Sequence, residues 1–181
     1  MNKGYSENDF ETLDWYEHIR RRPGMYLGKL GNGSEQDDGI YVLFKEIVDN
    51  AVDEFHEGWG KTVDITLNEE TKEVSVRDYG RGIPFGKLLD AVGKMNTGSK
   101  FGKDGSLAYG KSVGLNGVGT KAVNATSTQF YVQSFIDGDS YYAYFEKGVL
   151  IRKGKEKAKD EKDGTFVRYT ADDALYEGYN Y

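Results

Sequence analysis

Three groups of residues have types and spacings that could do chemistry. Asp78 ends an alternating run, Val74-Ser-Val-Arg-Asp78, and passes into a turn built on Gly80 and Gly82 and closed by Pro84. A carboxylate at the base of a pocket can accept a hydrogen bond from an exocyclic amino group such as adenine's. Two close glycines let the backbone take φ > 0 or approach a ligand closely. Glu46, Asn50 and Asp53 fall within roughly 60° of one another at 3.6 residues per helical turn. An Asn carbonyl is a hard, neutral oxygen ligand suited to Mg²⁺. One turn earlier, Glu46 could accept a proton from a water attacking a terminal phosphate. Finally, Gly114-Leu-Asn-Gly-Val-Gly119 runs directly into a helical stretch, Thr120–Ala125. Converging N–H groups and the positive end of a helix could cradle phosphate there.

Each group also has a plainer reading. A lone D-x-G-x-G is most often a strand ending in an ordinary turn. A polar stripe on an amphipathic helix is normally its wet side, although this one borders the apolar face at Leu43 and Ile47. G-x-x-G-x-G is neither the Rossmann spacing nor the P-loop spacing, so by itself it is a weak signal. Taken together the three describe one ligand: purine, phosphates and metal.

The elements that must position these residues follow from periodicity. Residues 1–12 are polar and aperiodic and read as an arm. Leu13–Ile19 has a short helical pattern, the three adjacent arginines Arg20–Arg22 read as a solvated turn, and Pro23-Gly24 breaks the pattern. Ile40–Phe55 is the longest helix expected. Strands are expected over Lys61–Leu67, Glu73–Asp78, Thr128–Ile136, Ser140–Glu146, Val149–Lys153 and Thr165–Thr170, with a charged loop over Gly154–Gly164. Phe85–Lys94 can form a short helix. Asn96–Leu115 is a long loop with five glycines and three lysines, Lys100, Lys103 and Lys111, and a loop of that length in a compact domain is usually functional or disordered. Helices come early and strands cluster late, so the class is α+β with a mostly antiparallel sheet.

Composition narrows the function classes. At 181 residues the chain has room for one domain with a sizeable core. With 24 Lys+Arg against 30 Asp+Glu the net charge is −6, which disfavours direct grip on a phosphate backbone by this piece. There are no cysteines and only two histidines, His18 and His56, so any divalent metal must be held by oxygen. No run approaches a transmembrane span and no signal peptide is visible, which fits a cytoplasmic protein without a membrane partner.

The chain resembles the N-terminal ATPase domain of the bacterial type II topoisomerases, found in the B subunits of DNA gyrase and topoisomerase IV. These belong to the GHKL group, with MutL-type proteins, ninety-kilodalton heat-shock chaperones and sensor histidine kinases. The matching motifs are Arg22-Pro-Gly-Met-Tyr-Leu-Gly28, Glu46-Ile-Val-Asp-Asn50 with Asp53-Glu54, Asp78-Tyr-Gly-Arg-Gly-Ile-Pro84, Gly114-Leu-Asn-Gly-Val-Gly119 and Gly164-Thr165-Phe-Val-Arg168. They occur in the family's order, and Arg-Pro-Gly-Met-Tyr-x-Gly marks the topoisomerase branch.

The resemblance implies a Bergerat α/β sandwich over residues 13–181, with helices on one face of a mixed, mostly antiparallel sheet and ATP with Mg²⁺ between them. It makes Glu46 the general base, Asn50 the metal ligand and Asp53 a further cofactor-site residue. Asp78 binds the adenine amino group, supported by Thr165 through a shared water. Arg81 and Pro84 wall the base, with Gly82 and Ile83 as cofactor-site residues between them, and Tyr109 touches it from the lid. Lys100 and Lys111 lie near the phosphates. The backbone of Gly114, Leu115, Asn116, Gly117, Val118, Gly119 and Thr120 holds the triphosphate, and Tyr5 reaches the nucleotide bound by the second copy in a dimer.

The implied parent enzyme couples Mg-ATP binding and dimer closure to DNA strand passage, works with the topoisomerase A subunit, and is open to ATP-competitive inhibitors. The chain alone is expected to be a monomeric fragment with little turnover, lacking the following transducer domain. Asn116, where the gyrase B subunit commonly has His, and the Lys111–Gly117 run favour topoisomerase IV over gyrase. Ile136 falls where the family often has an arginine used by aminocoumarins. The alternatives are another GHKL ATPase, MutL-like or chaperone-like, and a non-catalytic nucleotide-binding module.

Overall fold

A computed structural model describes residues 13–93 and 118–181. The expected arm, Tyr5, Lys100, Tyr109, Lys111 and Gly114–Gly117 lie outside the described residues. Among the described residues five α-helices precede or interrupt six strands: α1 Trp15–Arg21, α2 Gly24–Leu27, α3 Gly39–His56, β1 Val63–Asn68, β2 Glu73–Asp78, α4 Leu88–Gly93, α5 Gly119–Ala125, β3 Ser127–Ile136, β4 Asp139–Glu146, β5 Val149–Lys157 and β6 Gly164–Ala171. The strands form one sheet in the order β1-β2-β6-β3-β4-β5, and every pairing among the described residues is antiparallel. This is the α+β class that the strand spacing implied.

The register explains why one sheet face holds the core. Val74, Tyr169, Phe130 and Phe145 line up across four strands, and Val76, Val167, Val132 and Ala143 form the next row. All eight are buried. They pack with Leu43, Ile47 and Ala51 of α3 and with Ala122 and Val123 of α5 in one apolar cluster. Two residues further along β2, β6 and β3, the same face turns polar, with Asp78, Thr165 and Ser134 in place of aliphatic groups, while β4 presents Tyr141. That change of chemistry in the third row separates core from site.

Three expectations need correction. Pro23-Gly24 does not simply stop the first helix; it starts another turn, because a proline at a helix N-terminus gives up an N–H that would be unbonded anyway. The charged stretch after Lys153 continues as strand to Lys157. As an edge strand it can carry charges on its open side, and Gly154 lies so close under the Tyr142 ring that an added Cβ would stand 2.9–3.0 Å from it. Arg20 is not a solvated turn residue. Its guanidinium donates to Ala125 O at 2.9 Å and to the buried carboxylate of Asp172 at 2.6 Å, where Lys147 also stands at 3.2 Å. Burial alone would raise the pKa of Asp172, but those two cations and the Ala174 N–H hold it below the usual carboxylate range.

Candidate functional site

The polar row begins with Asp78, which is 8% exposed. Its Oδ1 accepts the N–H of Gly80 at 2.9 Å and the N–H of Thr165 at 3.1 Å. Burial raises the pKa of Asp78, and the two N–H groups oppose that shift without cancelling it. The Thr165 main chain is thus bonded to Asp78 directly. Gly164 makes that approach feasible: a Cβ there, at φ +132°, would stand 2.3 Å from Asp78 O.

The turn after Asp78 is fixed from two sides. On the helix side, Glu54 accepts from Arg81 N at 3.0 Å, from Arg81 Nε at 3.1 Å and from Arg81 Nη2 at 2.8 Å. Partial burial raises the pKa of Glu54, but the Arg81 contacts prevail and hold it below the ordinary value. Arg81 also lies over the Trp59 ring, 5.4 Å from its centroid. On the sheet side, the buried Ser134 hydroxyl accepts from Ile83 N and donates to Ile83 O, both at 2.8 Å.

The two glycines serve this packing. Gly82 does take φ > 0, at +73°, while Gly80 does not. A Cβ on Gly82 would stand 2.7 Å from Phe135 O, and one on Gly80 would stand 2.7 Å from Glu54 Oε2. The close approach seen here is to the protein's own backbone and side chains.

At the other end of the site, α3 meets the start of α5. Asn50 Nδ2 donates to Glu46 O at 2.6 Å and to Thr120 Oγ1 at 2.9 Å. Because a main-chain carbonyl can only accept, the first contact fixes which way the amide faces. The Glu46 carboxylate lies directly against Gly119, where a Cβ would fall 1.7 Å from Oε2. Asp53 is 6% exposed. The stripe on α3 is therefore not a wet face. Glu46, Asn50 and Glu54 run down it at intervals of four residues, from the start of α5 to the turn after β2.

Of the expected site residues, the structure brings Glu46, Asn50, Gly119 and Thr120 together at one end. It gathers Asp78, Arg81, Gly82, Ile83 and Thr165 at the other, with Pro84 exposed beyond them. Val118 directly precedes α5, and its carbonyl accepts the N–H of Ala122 at 2.8 Å. Sequence reasoning left Glu54 and Ser134 without roles. Glu54 was signalled by its place two turns along the stripe from Glu46. Ser134 was signalled by the alternation Phe130, Val132, Ser134, which turns its side chain inward. Among the described residues no group of three His, Asp or Glu side chains forms a metal cage. No helix among them is long and apolar enough to cross a membrane.

Comparison with known proteins gives a consistent picture. Residues 35–173 match the family model for histidine kinase-, DNA gyrase B- and HSP90-like ATPases. The chain is 50% identical over 179 residues to the B subunit of DNA topoisomerase 4 from Borreliella burgdorferi, covering 99% of this chain and 29% of that protein. It is 37% identical over 193 residues to the protein of the same name from Staphylococcus aureus, covering 98% of this chain and 27% of that one. The chain thus spans less than a third of the length of these curated relatives. Among solved structures, the 43K ATPase domain of Thermus thermophilus gyrase B, in complex with an aminocoumarin, superposes with a TM-score of 0.69 at 30% identity. The match covers 93% of this chain and 42% of that one. The ATPase region of Saccharomyces cerevisiae topoisomerase II gives a TM-score of 0.80 at 21% identity over 97% of this chain and 54% of that one, a likeness of fold.

Proposed function

We propose, from the premise that this chain belongs to the family of histidine kinase-, DNA gyrase B- and HSP90-like ATPases, that it is the ATP-binding segment of a type II topoisomerase B subunit. Topoisomerase IV is favoured over gyrase because the curated relatives at 50% and 37% identity both carry that name. In the parent enzyme, nucleotide-driven closure of two B subunits would gate passage of one DNA duplex through another, with DNA gripped outside this acidic segment and by the topoisomerase A subunit. That setting is cytoplasmic.

One observation carries the nucleotide reading. A single face of α3 joins the turn beside the buried Asp78 carboxylate to the start of α5. Glu46 and Glu54 are eight residues apart, about 12 Å along the axis, a span that a nucleoside triphosphate can bridge. At the purine end, Asp78 offers an acceptor in a buried site where both of its accepted bonds fall on Oδ1. Arg81, Gly82, Ile83 and Pro84 form the adjoining wall.

At the phosphate end, Glu46 is the group that takes the proton from an attacking water, and Asp53 is a buried companion on the same helix. The backbone of Val118, Gly119 and Thr120 continues the glycine-rich run that cradles the phosphates. The donor set fits Mg²⁺: with the Asn50 amide nitrogen turned to Glu46 O and Thr120 Oγ1, its oxygen is the atom of the right chemistry for a hard cation. When bound, that ion would neutralise charge on the phosphate oxygens. Gly114–Gly117, Lys100, Lys111, Tyr109 and Tyr5 keep the roles the resemblance gives them as part of this proposal.

The test is Asp78→Asn. An asparagine can keep Oδ1 as acceptor for the Gly80 and Thr165 N–H groups while presenting an amide donor to the base. The fold should therefore persist while adenine affinity falls by about 1–3 kcal/mol. Calorimetric titration with ATP and with GTP reads this directly. Unchanged ATP affinity would remove Asp78 from the site.

A further inference from the structure

We propose that Ser134 is a positioning residue for the purine wall, fixing the turn Arg81–Pro84 at a set height above the pocket floor. The inference rests on the nucleotide reading above and deepens it. Ser134 is fully buried and stands in the same cross-strand row as Asp78 and Thr165. Its hydroxyl closes a two-point contact with a single residue, accepting from Ile83 N and donating to Ile83 O at 2.8 Å each. An antiparallel strand residue would satisfy Ile83 through the same pair of groups, so one side chain here replaces an additional strand.

Three further contacts show that the height of the turn is set here. Gly82 comes down onto β3 until the position of an absent Cβ is 2.9 Å from Ser134 Oγ, 2.7 Å from Phe135 O and 3.0 Å from Ile136 Cγ1. Ile136, at the position where the resemblance leads one to expect arginine, therefore adds an apolar contact under the same turn. Glu54 holds the preceding residue, Arg81, by its main chain and its guanidinium. Between the Glu54 clamp and the Ser134 latch, the turn is fixed before a ligand arrives, and affinity gains because little order remains to be imposed on binding.

An apolar residue at 134 would leave the N–H and C=O of Ile83 without these partners. The turn would lift or seek water, and the wall would move relative to the Asp78 carboxylate. The contact lies at the base end, so the loss must be independent of how many phosphates the ligand carries.

The experiment measures Ser134→Ala and Ser134→Thr against the unaltered chain by calorimetry with Mg-ATP, Mg-ADP and adenosine, together with thermal melting without ligand. Ser134→Ala is expected to weaken all three ligands by the same factor, roughly tenfold. Ser134→Thr, which keeps the hydroxyl, should recover most of the affinity. Wild-type affinity in Ser134→Ala would overturn the proposal, and so would a weakening that grows with the number of phosphates. If Ser134→Ala melts below the assay temperature, Gly82→Ala tests the same seat from the other side. It must weaken adenosine and ATP equally, and a Gly82→Ala protein that binds both as before overturns the proposal. If the unaltered chain binds none of the three ligands, the nucleotide reading itself fails, an outcome separate from either of these.

Discussion

Gly119→Ala isolates the placement of Glu46 from its chemistry. The added Cβ would sit 1.7 Å from Glu46 Oε2 and 2.5 Å from its Cδ. Gly119 opens α5 without a positive φ, so alanine fits its backbone and should change stability by no more than about 1 kcal/mol. The clash is with the far end of a flexible side chain, so the helix can stay and the carboxylate must leave. To regain even a tight contact of 3.0 Å, the oxygen must retreat by more than about 1 Å, and a displacement of that size can cost about 100-fold in rate. The equivalent barrier is about 2.7 kcal/mol. Single-turnover ATP hydrolysis by the parent enzyme measures the rate, melting measures the fold, and a double-mutant cycle separates the causes. In a Glu46→Ala background the carboxylate is gone, so Gly119→Ala should have no further effect on the rate. The reasoning is refuted if Gly119→Ala hydrolyses ATP at the wild-type rate, or if it costs the same factor in both backgrounds.

Two other predictions concern the start of α5 and its buried lysine. Thr120→Val removes one of the two acceptors that orient the Asn50 amide. The Mg²⁺ concentration needed to tighten ATP should rise by roughly tenfold or more, while Mg²⁺-free adenosine binding stays the same; calorimetric titration at several Mg²⁺ levels would contradict this if the midpoint did not move. Lys121 is fully buried in α5, and burial pulls its pKa down from 10.5 to about 8, with Asp90 opposing the shift. Between those two values the unfolded chain binds more protons than the folded one, so stability should rise with pH across that window. The buried Tyr176 and Tyr179, pushed up to about 12, act in the opposite sense only above the ordinary tyrosine range. Urea melts between pH 8 and 9.5 should therefore show the rise, and Lys121→Met should flatten it; an equal slope in both proteins would exclude Lys121 as its source.

Much of this arrangement was legible from periodicity because each segment follows one rule at a time. β2 matches its expected span since Val74 and Val76 alternate with Ser75 and Arg77 and glycines follow at once. The stripe Glu46–Asn50–Asp53 was visible by helical spacing, but which side of α3 it faced was not, because polarity alone does not distinguish a wet face from a pocket. Only the contact with Gly119 and Thr120, some seventy residues away in sequence, decides it. The same limit applies to Asp78. Its turn was readable as a turn, while the burial that makes its carboxylate unusual depends on Thr165, which β6 brings beside it from 87 residues away. Ser134 carried a local signal, an inward phase in β3, yet serine in a strand is ordinary until the turn residue that it bonds, Ile83, is known.

Arg20 holds an element of the candidate site in place through its contacts with Ala125 and Asp172. α5 has seven residues, fewer than an isolated helix needs to hold its shape in water, yet it presents Gly119 and Thr120 to the site. Its stability must come from contacts at both ends. At the start, Asn50 and Glu46 of α3 engage Thr120 and Gly119. In the last turn, Asn124 Nδ2 donates to Val92 O at 2.9 Å and ties the helix to α4. At the end, Arg20 takes the Ala125 carbonyl, which the helix itself leaves unbonded, and holds Asp172, whose own N–H donates to Thr126 O at 3.0 Å. The arginine run beside Pro23-Gly24 thus begins with a brace for the helix that carries the proposed phosphate end of the site. A positional error at Arg20 would travel the length of one short, rigid helix to reach the carboxylate of Glu46.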